Sequence, residues 1–323
     1  MHFLIVTPTS KAIQTGNRNT AQQWAELLRN LGHTATVAAE HGGRDADALI
    51  ALNATRTHPE IVAFHKDHPG KSVVVALTGS DLYPELGDDS LDSLRIANRI
   101  VVLQPGARDR VPEALRDRVC VIVQSATAPP TKPARSTDAF EVCVVGHLRT
   151  VKDPMLAAAA ARLLPAESRI RIRHAGAILE DDYRERVAQE QRDNPRYTWL
   201  GEVDPGAAQE LMARCRLQVL SSIAEGGARV IGESLVAGTP VLAARNDATR
   251  SLLGDDYAGL FDAGRTEQLR DLMHRAETDA AFLDLLHEQA DRRTEQFQPA
   301  HERNAWHDLV AKLDAADRQS ASA

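Results

Sequence analysis

Lysine is scarce in this chain: of 38 basic side chains only six are lysines, so arginine is its default cation. Aromatic residues make up 4% and cysteines number three. An excess of positive charge is also missing. The formal net charge is -7, which argues against a nucleic-acid-wrapping protein, because a polyanion calls for a basic face. Without a polybasic cluster, an anionic membrane surface is an equally poor partner. No apolar run approaches the length needed to span a bilayer. Residues 1–6 form a short β-rich run with no basic flank and no small-residue cleavage site, unlike a secretory signal. Cys120, Cys143 and Cys215 lie far apart, each in or beside an apolar run, which speaks against a disulfide framework or a cysteine zinc site. The expected setting is the cytoplasm. The expected partners are small molecules, with neither nucleic acid nor membrane among them. The oligomeric state is not legible.

What is present is a repeated alternation of strand and helix. Apolar β-rich runs occur at residues 3–6, 34–38, 48–52, 72–77, 100–103 and 119–123. Segments with helical periodicity separate most of them, such as 20–31, apolar at Ala21, Trp24, Leu27, Leu28 and Leu31. Near-continuous apolar strands between amphipathic helices predict a parallel sheet covered on both faces. Residues 125–138, SATAPPTKPARSTD, break the pattern with three prolines and read as a linker. The alternation restarts at 140–145 and continues through 169–173, 197–200, 217–220, 241–243 and 259–261. The expected architecture is therefore α/β, with two Rossmann-like parallel-sheet lobes facing a cleft. The lobes are placed at residues 1–135 and 136–298, and a C-terminal helix over 299–318 is expected to return to the first. Ligands of open parallel sheets bind beyond the carboxyl ends of the strands.

The strongest chemical signal is LQVLSSIAEGGARVIGESLVAGTP, residues 217–240. It reads as a strand, a loop holding Glu225, Gly226 and Gly227, and a helix closed by Gly238-Thr239-Pro240. The glycines admit a ligand close to the backbone, and the helix N-terminus suits a diphosphate. Glu233 lies eight residues after Glu225, about two turns into the helix. Carboxylates accept hydrogen bonds from sugar hydroxyls, so one acid is available to a hexose and one to a ribose. A plain turn with two solvated glutamates is the bland alternative. The whole constellation, including Ser221-Ser222 before it and residues 237–241 after it, resembles the E-x7-E signature of GT-B glycosyltransferases related to glycogen and sucrose synthases.

A second motif, Gly146-His147-Leu148-Arg149-Thr150-Val151-Lys152-Asp153-Pro154, follows the first strand of the second lobe and is expected to open a helix. Related transferases carry an arginine and a lysine here for the donor diphosphate. Lys152 matches the lysine, His147 stands at the arginine position, and Arg149 offers a substitute charge. Cations there stabilise a leaving diphosphate. Gly201, in Trp199-Leu200-Gly201, resembles a loop near the donor base. Arg229 begins the donor helix. In the first lobe, Gly16-Asn17-Arg18 resembles an acceptor-side glycine loop. Thr78-Gly79-Ser80-Asp81 follows a buried strand and is expected to face the cleft. The histidine that often assists the acceptor in this fold is absent here. Either Asp81 replaces it or the acceptor is already an anion. Asp45-Ala46-Asp47 spells the metal-binding D-x-D of another fold, but in the wrong architecture. The histidines show no metal-ligand spacing. No metal and no cofactor is expected.

Taken together, TPTSKAIQTGNRNTAQQWAELLRNLGH, VVALTGSDLY, VVLQP, GHLRTVKDP, WLGEV, SSIAEGGARVIGES and LLGDDYAGLF resemble the selenosugar synthases of selenoneine biosynthesis along nearly the whole chain. His147 is then regular, whereas Asn53 and Arg229 depart from that group's usual histidine and asparagine. The resemblance implies that selenophosphate attacks the anomeric carbon of UDP-N-acetylglucosamine or UDP-glucose. It casts Lys152, Arg149, Glu225 and Asp81 as catalytic, and Gly146, His147, Gly201, Glu225, Gly226, Gly227, Arg229 and Glu233 as donor-binding. Gly16, Asn17, Arg18, Thr78 and Gly79 would bind the acceptor. Two rivals stay open: an ordinary GT-B enzyme with a carbohydrate or small-molecule hydroxyl acceptor, and a UDP-sugar epimerase on the same fold.

Overall fold

A computed structural model describes residues 1–8, 16–131 and 133–320. Residues 9–15, within the first segment quoted above, and Lys132 of the linker lie outside the described residues. The chain divides into two compact units. One comprises Met1–Gln124 with Pro299–Ala323, and the other is Ser125–Gln298.

The first unit is built from β1 (His2–Val6), α1 (Gly16–Asn30), β2 (Thr34–Ala38), β3 (Ala48–Leu52), α2 (His58–Asp67), β4 (Ser72–Leu77), α3 (Asp88–Ile96), β5 (Arg99–Val102) and β6 (Val119–Val121). The strands form one parallel sheet in the order β2-β1-β3-β4-β5-β6. Neighbouring side chains on β1 enter different cores. Phe3 and Ile5 pack with Trp24 and Leu28 of α1, and Leu4 and Val6 with Ile61 and Phe64 of α2. Successive side chains of a strand point to opposite faces, and both faces here are covered, which is why these strands are apolar without alternation. Helix α1 stops at Gly32, whose φ of 87° lets His33 N–H reach the Leu28 carbonyl at 3.1 Å and Gly32 N–H the Arg29 carbonyl at 3.0 Å.

The C-terminal helix, Pro299–Ser320, belongs to this unit. Its Trp306 is fully buried and meets Trp24 edge-to-face, ring centroids 4.8 Å apart. One turn earlier, buried Glu302 accepts from Trp24 Nε1 at 2.8 Å and from Gln23 Nε2 at 2.7 Å.

The second unit runs β7 (Phe140–Val145), α4 (Leu156–Arg162), β8 (Ile170–Ala175), α5 (Asp182–Asp193), β9 (Tyr197–Trp199), α6 (Pro205–Arg214), β10 (Leu217–Leu220), α7 (Arg229–Val236), β11 (Val241–Ala244), α8 (Asp247–Leu253), β12 (Leu260–Phe261), α9 (Thr266–Thr278) and α10 (Ala280–Thr294). Its sheet is also parallel, in the order β12-β11-β10-β7-β8-β9. All twelve apolar runs read from the sequence form strands. Helix onset after β7 differs from the expectation. Lys152 ends a short 3-10 turn, Thr150–Lys152, and α4 begins only at Leu156. Pro154 disfavours the α conformation at the residue before it, and Asp153 takes the left-handed region instead, φ 42°.

Candidate active site

Strands β7 and β10 are parallel neighbours, so the loops that follow them leave the sheet at the same edge. Backbone and side-chain bonds then fasten the two loops together. Ile223 N–H donates to the Val151 carbonyl at 2.9 Å. The Ser221 hydroxyl lies 2.9 Å from the Lys152 carbonyl and 2.8 Å from that of Asp153. Lys152 Nζ donates to Glu225 Oε1 at 2.5 Å, and the Glu225 side chain is only 10% exposed. Arg229 opens α7, so Glu233 lies one turn into the helix and not two, and Arg229 Nε donates to Glu233 Oε1 at 2.8 Å. Each acid expected to meet a sugar therefore already carries a cation expected to meet the donor. Gly226 and Gly227 lead directly to the start of α7, where Ala228 is left-handed with φ 43°.

The loop after β7 rests on a platform that no motif announces. Gly146 N–H donates to Ala175 O at 2.9 Å, and Gly146 O accepts from His174 Nε2 at 3.1 Å. His174 is fully buried, and burial pushes its pKa down to about 4. At neutral pH it is uncharged. Since its Nε2 proton is used on Gly146, its Nδ1 accepts from the Tyr197 hydroxyl at 2.9 Å. Ala177 N–H donates to His147 Nδ1 at 3.1 Å, which places the proton of neutral His147 on Nε2. Gly176 passes so close beneath that a Cβ there would lie 2.0 Å from the Gly146 carbonyl oxygen. Gly176 is braced in turn: its N–H donates to Gly201 O at 2.8 Å, and its carbonyl accepts from Trp199 Nε1 at 2.9 Å. The available sequence signal was a histidine inside an otherwise regular strand, followed by a glycine. Arg149, at the end of the loop, sits near Glu180. The Glu180 carboxylate accepts from Thr150 Oγ1 at 2.6 Å and Thr150 N–H at 2.9 Å, and these bonds, aided by the Arg149 charge, hold its pKa below the usual range.

In the first unit, Gly16, Asn17 and Arg18 form the first turn of α1, with Arg18 exposed. Thr78 and Gly79 follow β4. Asp81, expected to be catalytic, is tightly held by its surroundings. It is buried, and its two oxygens accept from Thr78 N–H at 2.9 Å, Gly79 N–H at 2.8 Å and Ala54 N–H at 2.8 Å. Burial pushes its pKa up against the pull of those amides. Asp81 clamps the loops after β3 and β4. Asn53, left-handed with φ 75°, adds to the clamp by donating to Ser80 Oγ at 3.0 Å and Thr78 Oγ1 at 3.3 Å.

The D-x-D pair is used internally. Asp47 accepts from His2 N–H at 2.7 Å and Lys71 Nζ at 3.1 Å, and Asp45 lies 3.7 Å from His68. Among the described residues no group of three or more His, Cys, Asp or Glu side chains is arranged to hold a metal ion. Nor is any of the described helices long and apolar enough to cross a membrane.

Comparison with known proteins adds the following. Residues 127–295 match the family model described as glycosyl transferases group 1. Comparison with curated protein sequences gives no match. Among solved structures, HepE of Anabaena in complex with UDP and glucose is similar at 16% identity and TM-score 0.74, over 97% of this chain and all of that one. Sucrose-phosphate synthase of Thermosynechococcus elongatus is similar at 15% identity and TM-score 0.79, over 98% of this chain and 99% of its own. A glycosyltransferase of Rickettsia africae gives 12% identity and TM-score 0.75, over 97% and 98%. At these identities the likeness is one of fold, two parallel-sheet α/β units as in GT-B glycosyltransferases.

Proposed function

The chain belongs to the glycosyl transferases of group 1, and we propose that it moves the sugar of UDP-N-acetylglucosamine or UDP-glucose onto selenophosphate. The selenium of selenophosphate attacks the anomeric carbon, and the bond from that carbon to the diphosphate oxygen breaks, its electrons leaving with UDP. Water then cleaves the selenium–phosphorus bond, giving phosphate and a selenosugar. The donor reading rests on the second unit. Lys152 and Arg149 supply positive charge for the departing diphosphate, the start of α7 behind Gly226-Gly227 supplies amides, and Glu225 and Glu233 are the carboxylates for hexose and ribose hydroxyls. HepE, of the same fold, was crystallised with UDP-glucose, which supports this class of donor.

The observation that carries the acceptor reading is Asp81. The one acid of the Thr78–Asp81 loop is committed to three backbone amides. A hydroxyl acceptor calls for a base, whereas a selenium anion is already ionised and soft, so the loop has no proton to remove. Thr78, Gly79 and the first turn of α1, with Gly16, Asn17 and Arg18, are the residues assigned to that anion. Metal ions play no part in this scheme.

The test is mass spectrometry of products after incubating the purified chain with either UDP-sugar, with and without fresh selenophosphate. The expected result is a hexose-sized ion bearing selenium's isotope pattern only when both substrates are present. UDP release with a hydroxyl acceptor and no selenium product would overturn the acceptor assignment. Conversion of the donor without any acceptor would point to an epimerase.

A further inference from the structure

Ser222 is buried, 1% exposed, and its hydroxyl has no hydrogen-bond partner. Its neighbour Ser221 spends its hydroxyl on the carbonyls of Lys152 and Asp153. The Ser222 backbone is pinned separately, its carbonyl accepting from Asn246 Nδ2 at 2.9 Å. So the fold holds residue 222 in place without using its hydroxyl. Buried polar groups are almost always paired, because an unpaired one has given up its water for nothing. An unpaired hydroxyl in a functional loop therefore asks what completes it.

The surroundings select the answer. Ser222 lines a small hollow with Gly146, His147, Lys152, His174 and Ser221. The space suits a single oxygen atom better than a sugar ring. Two of its lining side chains are donors, the Lys152 ammonium and the unpaired Ser222 hydroxyl. Nearby, Gly146 O accepts from His174 and Glu225 holds Lys152, and neither is bonded to Ser222. Apolar Val144, Val219 and Leu220 form the rest of the wall, which lowers the local dielectric and strengthens each charge-assisted bond. An ammonium and an unpaired hydroxyl lining so small a hollow fit an anionic oxygen.

We propose that Ser222 is a binding residue for the donor diphosphate, its hydroxyl donating to an oxygen of the phosphoryl group next to the sugar, which is the terminal phosphate of the UDP product. This rests on the nucleotide-diphosphate-sugar reading and deepens it. A hydroxyl at this point adds a contact that nucleoside monophosphates cannot make.

Calorimetry of UDP and UMP binding to the full chain tests it. The wild type is expected to bind UDP at least tenfold more tightly than UMP. Ser222→Ala is expected to weaken UDP at least fivefold while leaving UMP within twofold, with an unchanged melting temperature. Ser222→Cys, which keeps the volume but loses the strong donor, should behave alike and serves if the alanine variant does not fold. A wild-type preference for UDP that both variants retain overturns the role of Ser222 alone. Equal losses for UDP and UMP would also overturn it, showing a structural hydroxyl. A wild type that binds UDP no better than UMP overturns the diphosphate reading, and this assignment with it.

Discussion

Lys152 and Glu225 are 73 positions apart in the chain and 2.5 Å apart in space. In the proposed donor site, a cation already placed beside the diphosphate would cost no reorganisation when charge develops on the leaving group. Lys152→Ala should lower kcat on the order of 10²-fold while the KM for the donor changes less than threefold. Steady-state kinetics with varied UDP-sugar reads both constants, and a large rise in KM with unchanged kcat would contradict the role. The lysine stood out in the sequence because lysines are rare here and because it ends GHLRTVK. Its partner did not, because the pair exists only once β7 and β10 lie side by side. Asp81 gives the complementary lesson. Its carboxylate was visible, but its availability depended on Ala54 N–H, which the chain delivers from the neighbouring strand end.

At the scale of elements, the loop after β7 is positioned from below. His174, Tyr197, Gly176 and the Trp199–Gly201 turn hold the Gly146 carbonyl and fix where His147 points. Gly176→Ala would put a Cβ 2.0 Å from Gly146 O and 2.5 Å from its carbonyl carbon. Neither atom belongs to a flexible side chain, so the loop itself must move. We expect a loss of about 1–3 kcal/mol in stability together with weaker UDP binding. Urea unfolding and calorimetry on the same sample check this, and a variant with both values unchanged would show that the platform does not set the loop. Boundaries were where the sequence was hardest to read at this scale. The motif around Lys152 was expected to open a helix, but the residue before Pro154 adopted the left-handed region and α4 started later.

At the scale of the molecule, the first unit is closed by the last helix of the chain. Trp306, Leu309, Val310 and Leu313 enter the same core as Phe3, Ile5 and Trp24. Trp306→Ala should cost about 3–5 kcal/mol, as expected for a large aromatic removed from a packed core. Denaturant unfolding reads it, and a loss under 1 kcal/mol would mean that the helix contributes little to this core.

Local pattern was enough for the architecture. Strand runs with every residue apolar, helices with one apolar stripe and a proline-rich break are properties of short windows, and they dictated two parallel α/β units because covered parallel sheets bury both faces. The eight-residue spacing of Glu225 and Glu233 was also legible, but α7 begins only at Arg229, so loop and helix together set where the two acids lie. Only the tertiary structure decided how each polar group is used: that Lys152 and Arg229 hold the two glutamates, that Asp81 is consumed by amides, that neutral His174 supports Gly146, and that Ser222 is left unpaired. The reason is that a polar side chain's state depends on which donors and acceptors reach it from distant segments. Strand order and loop register set that, and no local window contains them.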